Sequence, residues 1–488
     1  MVSKAVVIAA GLGSRLNGSS GDRPKPLVEI AGLSLLKRTI VSAKSAGVTD
    51  FVIVVGYRGE EIRREIESEP QLGVRMEWIE NLEWKRGNGL SVLKARASVD
   101  GPFFLLMSDH LFDPQVLVKL QNRPLGKDEI LLCVDSELDR VYDLDDAMKV
   151  AVERGRIVQI GKGLHSFNAI DTGIFLCSQS IFGALGRSVS MSDDSLSGGI
   201  RMLAQKQKVS AVEVDGLFWL DVDTPESRRY AEQVLLEQLG KPTDGVVSRK
   251  FNRKISRQIS RLLVKTPITP NQVSIGALLI SFLSAWMVSA GEYWLLALGG
   301  LTFQFASIVD GCDGEIAKLK VEGSLSGEWW DTVSDNISYI AFFVGVTYGM
   351  YQLSGQSSIL TLGFVAIALN ILSVSLVSIY LQSTGSGSIA SFNLAFSGDV
   401  PKEKRGWFHR FCCSLKFACR RDFFAALFCL LAIANRLDAI YWIFTMGSIL
   451  VTAGIFGYAG HMLRTKGVWP VAVGCQLEEE RLISEKAD

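Results

Sequence analysis

The chain has 488 residues, of which 48% are hydrophobic and only 21% charged, and its 51 Lys and Arg balance 51 Asp and Glu. At roughly 150 residues per domain, this length predicts two to four domains. The composition excludes a disordered chain and argues against an ordinary soluble enzyme. No basic excess is available to neutralise phosphates, so nucleic acid is not expected as a partner. The eight cysteines form no CxxC pair, which indicates neither a zinc site nor a disulfide framework and favours a reducing compartment.

Residues up to about 240 predict a soluble α/β domain. Short apolar runs typical of buried strands alternate with charged segments of helical periodicity. This alternation predicts a parallel or mixed sheet with helices on both faces. The predicted strands are residues 5–10, 51–55, 103–107 and 130–134, and the clearest helices are 34–46 and 60–69.

Residues after about 265 predict membrane helices. The stretches 266–291, 336–398 and 439–460 contain no Asp, Glu, Lys, Arg or His. A hydrocarbon core about 30 Å thick needs about 20 apolar residues as helix. The alternative, a large soluble helical core, would require charge-free helices in succession. We therefore predict an all-α polytopic membrane domain of six transmembrane helices, near residues 271–290, 293–318, 327–351, 358–382, 421–436 and 438–463.

The loop charges predict an orientation in the membrane. The connection at residues 382–421 carries seven Lys and Arg, so by the positive-inside rule this loop, the soluble domain and the C-terminus all lie in the cytoplasm. A Gly/Pro linker followed by interleaved basic and apolar residues predicts an amphipathic helix among lipid headgroups; a solvated basic linker helix is the alternative. The predicted divisions are a cytoplasmic domain at 1–239, this linker at 240–266, a membrane domain at 267–466 and a cytoplasmic tail at 467–488.

A glycine-containing turn follows the first predicted strand. The segment AAGLGSRL at residues 9–16 is followed by PKPL at residues 24–27. Gly11 and Gly13 let backbone amides approach a triphosphate closely, while Arg15 and Lys25 supply the positive charge that a leaving pyrophosphate needs. A dinucleotide site is the usual competitor, but residue 16 is Leu and the third glycine of GxGxxG is missing.

These two segments resemble those of the nucleotidyltransferases that activate sugar phosphates, over residues 1 to about 230. The resemblance implies a Rossmann-like α/β nucleotidyltransferase fold with a mixed sheet, catalytic roles for Arg15 and Lys25, and attack of a phosphomonoester oxygen on the α-phosphorus. It implies Mg²⁺ ligands at Asp109 and Asp223, with Asp223 favoured over Asp221. A turn or helix-cap role is the alternative for either ligand alone. The implied substrate contacts are Ala10, Gly11, Gly13, Gly87, Asn88 and Ser91 for the nucleotide and, more weakly, Lys162 and Asp171 for the acceptor.

Four aspartates in the second half have a regular spacing. Asp310 and Asp313 lie at i,i+3 of one predicted helix, and Asp331 and Asp335 lie at i,i+4 of the next, so each pair projects from a single face. Facing carboxylate pairs repel unless cations lie between them, and oxygen ligands favour Mg²⁺ or Mn²⁺ over zinc. Ionisable groups in membrane helices are costly and typically functional, although a juxtamembrane surface position is the alternative.

The spacing resembles the signature of the CDP-alcohol phosphotransferases, D-x2-D-G-x2-A-R-x8-G-x3-D-x3-D, with Lys318 in place of the Arg. Lys keeps the charge but loses the bidentate fork, so its contact with the phosphates would differ from that of the Arg. The resemblance implies metal ligands at all four aspartates. It implies a further role for Asp335 as the base that deprotonates the acceptor, and space for the cytidine diphosphate at Gly314 and Gly327. The candidates for binding the acceptor phosphate are Lys402, Lys404 and Arg405.

Together the two halves resemble bifunctional inositol-1-phosphate cytidylyltransferase and di-inositol-phosphate phosphate synthase enzymes. The resemblance implies CTP, inositol 1-phosphate and CDP-inositol as substrates and intermediate, and a homodimer formed through the membrane domain. One alternative is a phospholipid synthase whose membrane half uses a lipid substrate. Another is a cation transporter with a nucleotide-sensing domain, although clustering of the carboxylates at one end of the helices argues against a permeation path.

Overall fold

The computed structural model describes residues 2–16, 23–69, 72–240, 244–321, 325–383 and 421–466. The chain divides into two compact units, Met1–Leu235 and Leu236–Asp488. The first is an α/β unit and the second is helical, as the sequence predicts.

A mixed sheet forms the centre of the first unit. Within the described residues it has nine strands in the order β5-β4-β1-β6-β11-β8-β12-β10-β9. The pairs of β1 with β4 and β6 are parallel, whereas β11 runs antiparallel to β6 and β8. The strands are β1 Lys4–Ala9, β4 Asp50–Val55, β5 Arg75–Glu80, β6 Phe103–Met107, β8 Ile130–Asp135, β9 Lys149–Glu153, β10 Arg156–Gly161, β11 Ala169–Cys177 and β12 Val209–Glu213.

Apolar side chains cover both faces of this sheet. Alternate residues of β1 belong to different core clusters, Val7 to one and Val6 to the other, because successive side chains of a strand point to opposite faces. This two-sided burial explains why the predicted strands read as continuous apolar runs. The helices of the unit are α1 Leu35–Ser45, α2 Gly59–Glu67, α3 Asn88–Lys94, α4 Gln115–Gln121, α5 Ser180–Ser190, α6 Leu196–Ala204 and α7 Pro225–Glu237.

Two small antiparallel sheets complete the first unit. One pairs β2, Glu29–Ile30, with β3, Leu33–Ser34. The other pairs β7, His110–Phe112, with β13, Trp219–Asp221, and its register places Asp221 opposite His110. This pairing joins segments more than 100 residues apart in the chain. It therefore brings Asp109, which follows β6, close to Asp221 and Asp223 at the end of β13.

The described part of the second unit is helical. Thr269 caps the first long helix through a hydrogen bond from Gln272 N, and the Gln272 side chain caps Thr269 in return, while Pro270 occupies the first helical position. A π-helical turn at Ser248–Asn252 precedes the linker helix. The helices are α8 Arg253–Leu263, α9 Pro270–Ser289, α10 Tyr293–Lys320, α11 Leu325–Ser354, α12 Ser357–Ser383, α13 Arg421–Ile433 and α14 Leu437–Lys466.

Four described helical segments are long and apolar enough to cross a membrane by length and composition. Helix α11 is not among them, and three carboxylates lie in its first half. Helix α13 is apolar but short, over Asp422–Ile433. Each of the six predicted segments is nevertheless helical. The four candidate spans are Pro270–Ser289, Tyr293–Lys320, Ser357–Leu376 and Leu437–Gly454.

Candidate active sites

The turn after β1 brings a glycine and a lysine into contact. Gly13 has a φ of +64°, in the left-handed region, and a Cβ at this position would lie 2.4 Å from Lys25 Cβ. A side chain at residue 13 is therefore excluded by strain and by space. Gly11 has open space where a Cβ would be. Ala10 anchors the start of the turn, since its carbonyl accepts a hydrogen bond from Tyr57 N at 3.1 Å.

Lys25 lies buried among carboxylates of the first unit. Its Nζ lies 2.6 Å from Asp109 Oδ2 and contacts Asp223, which also pairs with Arg15. Burial alone would lower the pKa of Lys25, but Asp109, Asp221 and Asp223 outweigh it and hold this pKa above its ordinary value. The lysine therefore carries a fixed positive charge beside the turn.

Asp109, His110 and Asp221 offer ligand atoms within 4.8 Å of one another. His110 Nδ1 lies 3.2 Å from Asp109 Oδ1, and its Nε2 lies 3.8 Å from Asp221 Oδ2. Burial raises the pKa of Asp221 to about 6. The two carboxylates offer the oxygen ligands that Mg²⁺ or Mn²⁺ prefers, and His110 lies between them as a hydrogen-bonding partner rather than as a typical ligand of these ions. Asp223 instead contacts Arg15 and Lys25. Asp221 and Asp223 are therefore both candidates for the second metal ligand beside Asp109.

The predicted base-binding residues fasten the start of α3 to neighbouring segments. Asn88 Oδ1 accepts a hydrogen bond from Leu196 N at 2.9 Å, and buried Ser91 Oγ accepts one from Asn81 Nδ2 at 2.9 Å. A Cβ at Gly87 would lie 2.3 Å from the Asp194 carbonyl oxygen, so only glycine fits there. The structure thus places Gly87 at the N-cap of α3, and Asn88 and Ser91 in its first turns, packed tightly against neighbouring segments.

Asp146 links Arg15, a predicted catalytic cation, to Lys162, a predicted acceptor contact. Its Oδ2 lies 2.6 Å from Arg15 Nη1, and its Oδ1 lies 2.7 Å from Lys162 Nζ. Lys162 is therefore next to the glycine turn rather than an isolated surface charge. Asp171 lies in β11, where its Oδ1 accepts a hydrogen bond from Gly173 N at 2.7 Å and burial raises its pKa to about 6.

The aspartates of the second unit form a separate cluster. Carboxylate oxygens of Asp310, Asp313 and Asp331 lie within 4.8 Å of one another, which brings the first pair on α10 against the start of α11. Ser274 Oγ of α9 donates a hydrogen bond to Asp313 Oδ2 at 2.5 Å. Three carboxylates at this separation fit a hard divalent cation. Asp335 lies one helical turn beyond Asp331 and is not part of this group among the described residues.

Other predicted residues of this half lie around the cluster. The backbone N–H of Gly314 donates to Asp313 Oδ1, and Lys318 Nζ donates to the Leu239 carbonyl at 3.3 Å. Gly327 lies in the first turn of α11, four residues before Asp331. The candidates for binding the acceptor phosphate, Lys402, Lys404 and Arg405, lie outside the described residues.

Sequence reasoning missed three residues that the structure places at the two sites. His110 directly follows a predicted ligand, and this adjacency was the available signal. Asp146 and Ser274 have no informative spacing, because their partners lie more than 15 residues away in the chain. Only the tertiary contacts reveal them.

Two families match separate parts of the chain. Residues 5–142 match the MobA-like NTP transferase domain family. Residues 267–454 match the CDP-alcohol phosphatidyltransferase family. Each site described above contains residues within one of these matched segments.

Two relatives are similar over most of the chain, and one solved structure is similar over about half of it. The bifunctional IPC transferase and DIPP synthase of Rubrobacter xylanophilus is 36% identical, over 71% of this chain and 77% of the relative. The protein of the same name from Aquifex aeolicus is 34% identical, over 70% and 76% of the two chains. The solved inositol-1-phosphate CTP transferase of T. maritima is 28% identical, with a TM-score of 0.44, over 48% of this chain and 96% of that one.

Proposed function

Because the chain belongs to the family of bifunctional IPC transferases and DIPP synthases, we propose that it makes an inositol phosphodiester in two steps. CTP and inositol 1-phosphate give CDP-inositol and pyrophosphate. CDP-inositol and a second inositol 1-phosphate then give di-myo-inositol phosphate phosphate and CMP. The family favours this reading over a phospholipid synthase or a cation transporter.

One observation carries the proposal. The chain forms two charged clusters: the first joins Asp109 of the NTP transferase segment to Asp221 beyond that segment, and the second lies within the CDP-alcohol phosphatidyltransferase segment. The first combines a glycine turn, two cations and carboxylates, which suits a nucleoside triphosphate. The second combines carboxylates from two helices, which suits a pyrophosphate-linked nucleotide. A divalent cation bound at each cluster, Mg²⁺ or Mn²⁺, would supply a Lewis acid for the phosphate oxygens.

In the first step, a phosphate oxygen of inositol 1-phosphate attacks the α-phosphorus of CTP, and the bond to the β-phosphate oxygen breaks. The backbone at Gly11 and Gly13 leaves room for the triphosphate beside the turn. Arg15 and Lys25 stabilise the negative charge that grows on the leaving pyrophosphate. Asp109 with Asp221 or Asp223 would hold the cation, and Gly87, Asn88 and Ser91 would shape the base site. Lys162 and Asp171 would contact the acceptor.

In the second step, a hydroxyl of inositol 1-phosphate attacks the β-phosphorus of CDP-inositol, and the bond to CMP breaks. Asp335 accepts the hydroxyl proton as general base. Asp310, Asp313 and Asp331 would hold the cation, together with Asp335. Gly314 and Gly327 leave space beside the cytidine diphosphate, and Lys318 offers a positive charge to it.

The membrane arrangement is part of the proposal. Four candidate spans and the CDP-alcohol phosphatidyltransferase match support a membrane-associated protein. We infer six spans, with the α/β unit and the C-terminus in the cytoplasm, from the loop charges. Lipids of the cell membrane and a second copy of the chain are the inferred partners.

The test is to incubate the purified protein with CTP, Mg²⁺ and inositol 1-phosphate and to follow the phosphorus species by ³¹P NMR. Pyrophosphate, CMP and a water-soluble phosphodiester appearing together is the expected result. Pyrophosphate without CMP, followed by CMP release once lipid acceptors are added, would contradict the second step and favour phospholipid synthesis.

A further inference from the structure

Glu315 is a buried carboxylate of α10 to which neither proposed step gives a role. Glu315 is 1% exposed. Oε1 accepts hydrogen bonds from Arg253 Nη1 at 2.6 Å and Ser256 Oγ at 2.7 Å, and Oε2 accepts one from Ser260 Oγ at 2.7 Å. A charge in this position is stable only because such donors surround it.

All three donors belong to the linker helix α8. Arg253, Ser256 and Ser260 are spaced at i, i+3 and i+7, so they lie on one face of that helix. Both serines are almost fully buried. The side of α8 that packs on α10 thus carries these three polar donors to one carboxylate, and Ile259 and Leu263 of α8 pack beside them on the apolar cluster that contains Cys312 and Ile316. Leu262 of α8, and Phe251 in the π-helical turn before it, are exposed.

Arg253 extends the contact to the aspartate-bearing turn. It forms a bidentate ion pair with Asp244, at 2.9 and 3.0 Å, and its Nη1 donates to the Gly311 carbonyl at 3.4 Å. Gly311 directly follows Asp310. Asp244 and Glu315 raise the pKa of the Arg253 guanidinium, although burial alone would lower it. Arg253 therefore stays charged in its ion pairs with these two carboxylates.

Helix geometry connects Glu315 to the cluster on the other side of α10. An α-helix turns by about 100° per residue, so Glu315 points about 140° away from Asp310 and about 160° away from Asp313. The same two turns therefore direct Glu315 toward α8 and the two aspartates toward Asp331. Whatever fixes Glu315 also fixes the rotation of α10 about its axis.

We propose that Glu315, clamped by Arg253, is a positioning residue for the second step. It sets the rotation of α10 that brings the carboxylates of Asp310 and Asp313 within binding distance of Asp331. The inference rests on the proposed transfer at this cluster and assigns the linker helix a part in it. Residues that support metal ligands in this way typically change metal affinity or activity by about 10- to 100-fold.

The test measures Mn²⁺ binding by electron paramagnetic resonance on the purified full-length protein, in an Asp109→Ala background that removes a ligand from the first unit. Glu315→Gln and Arg253→Gln are compared with Lys254→Gln, which removes a positive charge, as Arg253→Gln does, at an exposed neighbouring position. We expect about tenfold weaker Mn²⁺ binding for Glu315→Gln and Arg253→Gln, and unchanged Mn²⁺ binding for Lys254→Gln. Without Asp109→Ala, pyrophosphate release should be unchanged in all three.

A milder variant tests whether the hydrogen bonds to Glu315 contribute to Mn²⁺ binding when both charges are kept. Ser256→Ala with Ser260→Ala keeps the ion pairs and removes two hydrogen bonds to Glu315, so it should weaken Mn²⁺ binding in the same direction but less. Folded Glu315→Gln protein that binds Mn²⁺ as the parent does would overturn the proposal, as would equal losses in Lys254→Gln. Failure of the proposed second step is distinguishable, because the unmodified enzyme would then release no CMP at any metal concentration.

Discussion

Lys25 combines burial with a permanent charge, and the residues around it explain how. The turn at Gly13 packs directly on the lysine stem, and Asp109 and Asp223 hold the ammonium group. In this arrangement the ammonium lies between acids that are candidates to hold a divalent cation. The carboxylates are therefore neutralised before any substrate binds, and the lysine is close to where the pyrophosphate charge would develop.

Replacing this charge should affect one activity only. Lys25→Met is expected to lower the rate of pyrophosphate release by about 10²- to 10³-fold, since a preorganised charge near the leaving group is lost. Release of CMP from added CDP-inositol should stay within about twofold, because the second cluster lies in a separate unit. Lys119→Met is the matched control, as it breaks an ion pair with Asp215, and neither residue has a proposed role in either step. Equal loss of both activities would contradict the assignment.

Asp171 makes the first unit sensitive to pH. Burial raises its pKa from 3.8 to about 6, so the folded state binds the proton more tightly than the unfolded chain. Stability from this group is complete below about pH 4 and is lost as the pH rises through 6, by about 3 kcal/mol. Asp171→Asn should therefore stabilise the unit by about 3 kcal/mol at pH 7.5 and hardly at all at pH 4.

Hydrogen exchange of the β11 amides in the full-length protein measures this difference, with each variant compared with the parent at the same pH. Asp100→Asn, at an exposed position, is the control and should have no effect at either pH. A stabilisation of Asp171→Asn that is equal at both pH values would show that burial of the charge is not its cause. We also expect weaker use of inositol 1-phosphate, since Asp171 is a proposed acceptor contact.

At the level of elements, α9 and α11 approach each other closely because of two glycines. A Cβ at Gly345 would lie 2.3 Å from the Ala285 carbonyl oxygen, and one at Gly349 would lie 2.4 Å from that of Val288. These glycines are four residues apart, in the small-xxx-small pattern that lets membrane helices pack backbone to backbone. The contact fixes α11, which carries Asp331, against α9, which carries Ser274.

Gly345→Leu should force these helices apart and disturb the aspartate cluster. We expect loss of CMP release and a lower unfolding temperature in detergent, while pyrophosphate release persists. Gly447→Leu is a suitable control, because a Cβ there has open space. If the two variants behave alike, close packing of α9 and α11 is not required for the second step.

At the level of the whole molecule, we propose that the two clusters are separate catalytic sites that share a polar intermediate. CDP-inositol carries charge and has no reason to stay in the bilayer, so it can reach another molecule through solution. A mixture of Asp109→Ala and Asp335→Asn proteins, each unable to make the phosphodiester alone, should therefore make it from CTP and inositol 1-phosphate. Product formation is followed by ³¹P NMR. A mixture that accumulates pyrophosphate and CDP-inositol without phosphodiester would instead indicate direct transfer within one chain.

Much of this protein could be predicted from local sequence patterns. The strand containing Ala5 and the strand containing Phe103 were predicted correctly, because strands buried on both faces consist of uninterrupted apolar residues. The grouping of Asp310 and Asp313 with Asp331 followed from helical spacing. Both families were recognisable for the same reason, since their signatures are short segments of fixed spacing.

Contacts between distant segments were decided by the tertiary structure alone. The pairing of β7 with β13 places His110 opposite Asp221, and only the folded chain shows that Asp146 joins Arg15 to Lys162. The same holds for Glu315, whose donors lie more than 50 residues earlier. Periodicity and spacing describe which side of an element a residue lies on. Which partner it meets there depends on how whole elements pack, and that is set by the summed burial and hydrogen bonding of the complete fold.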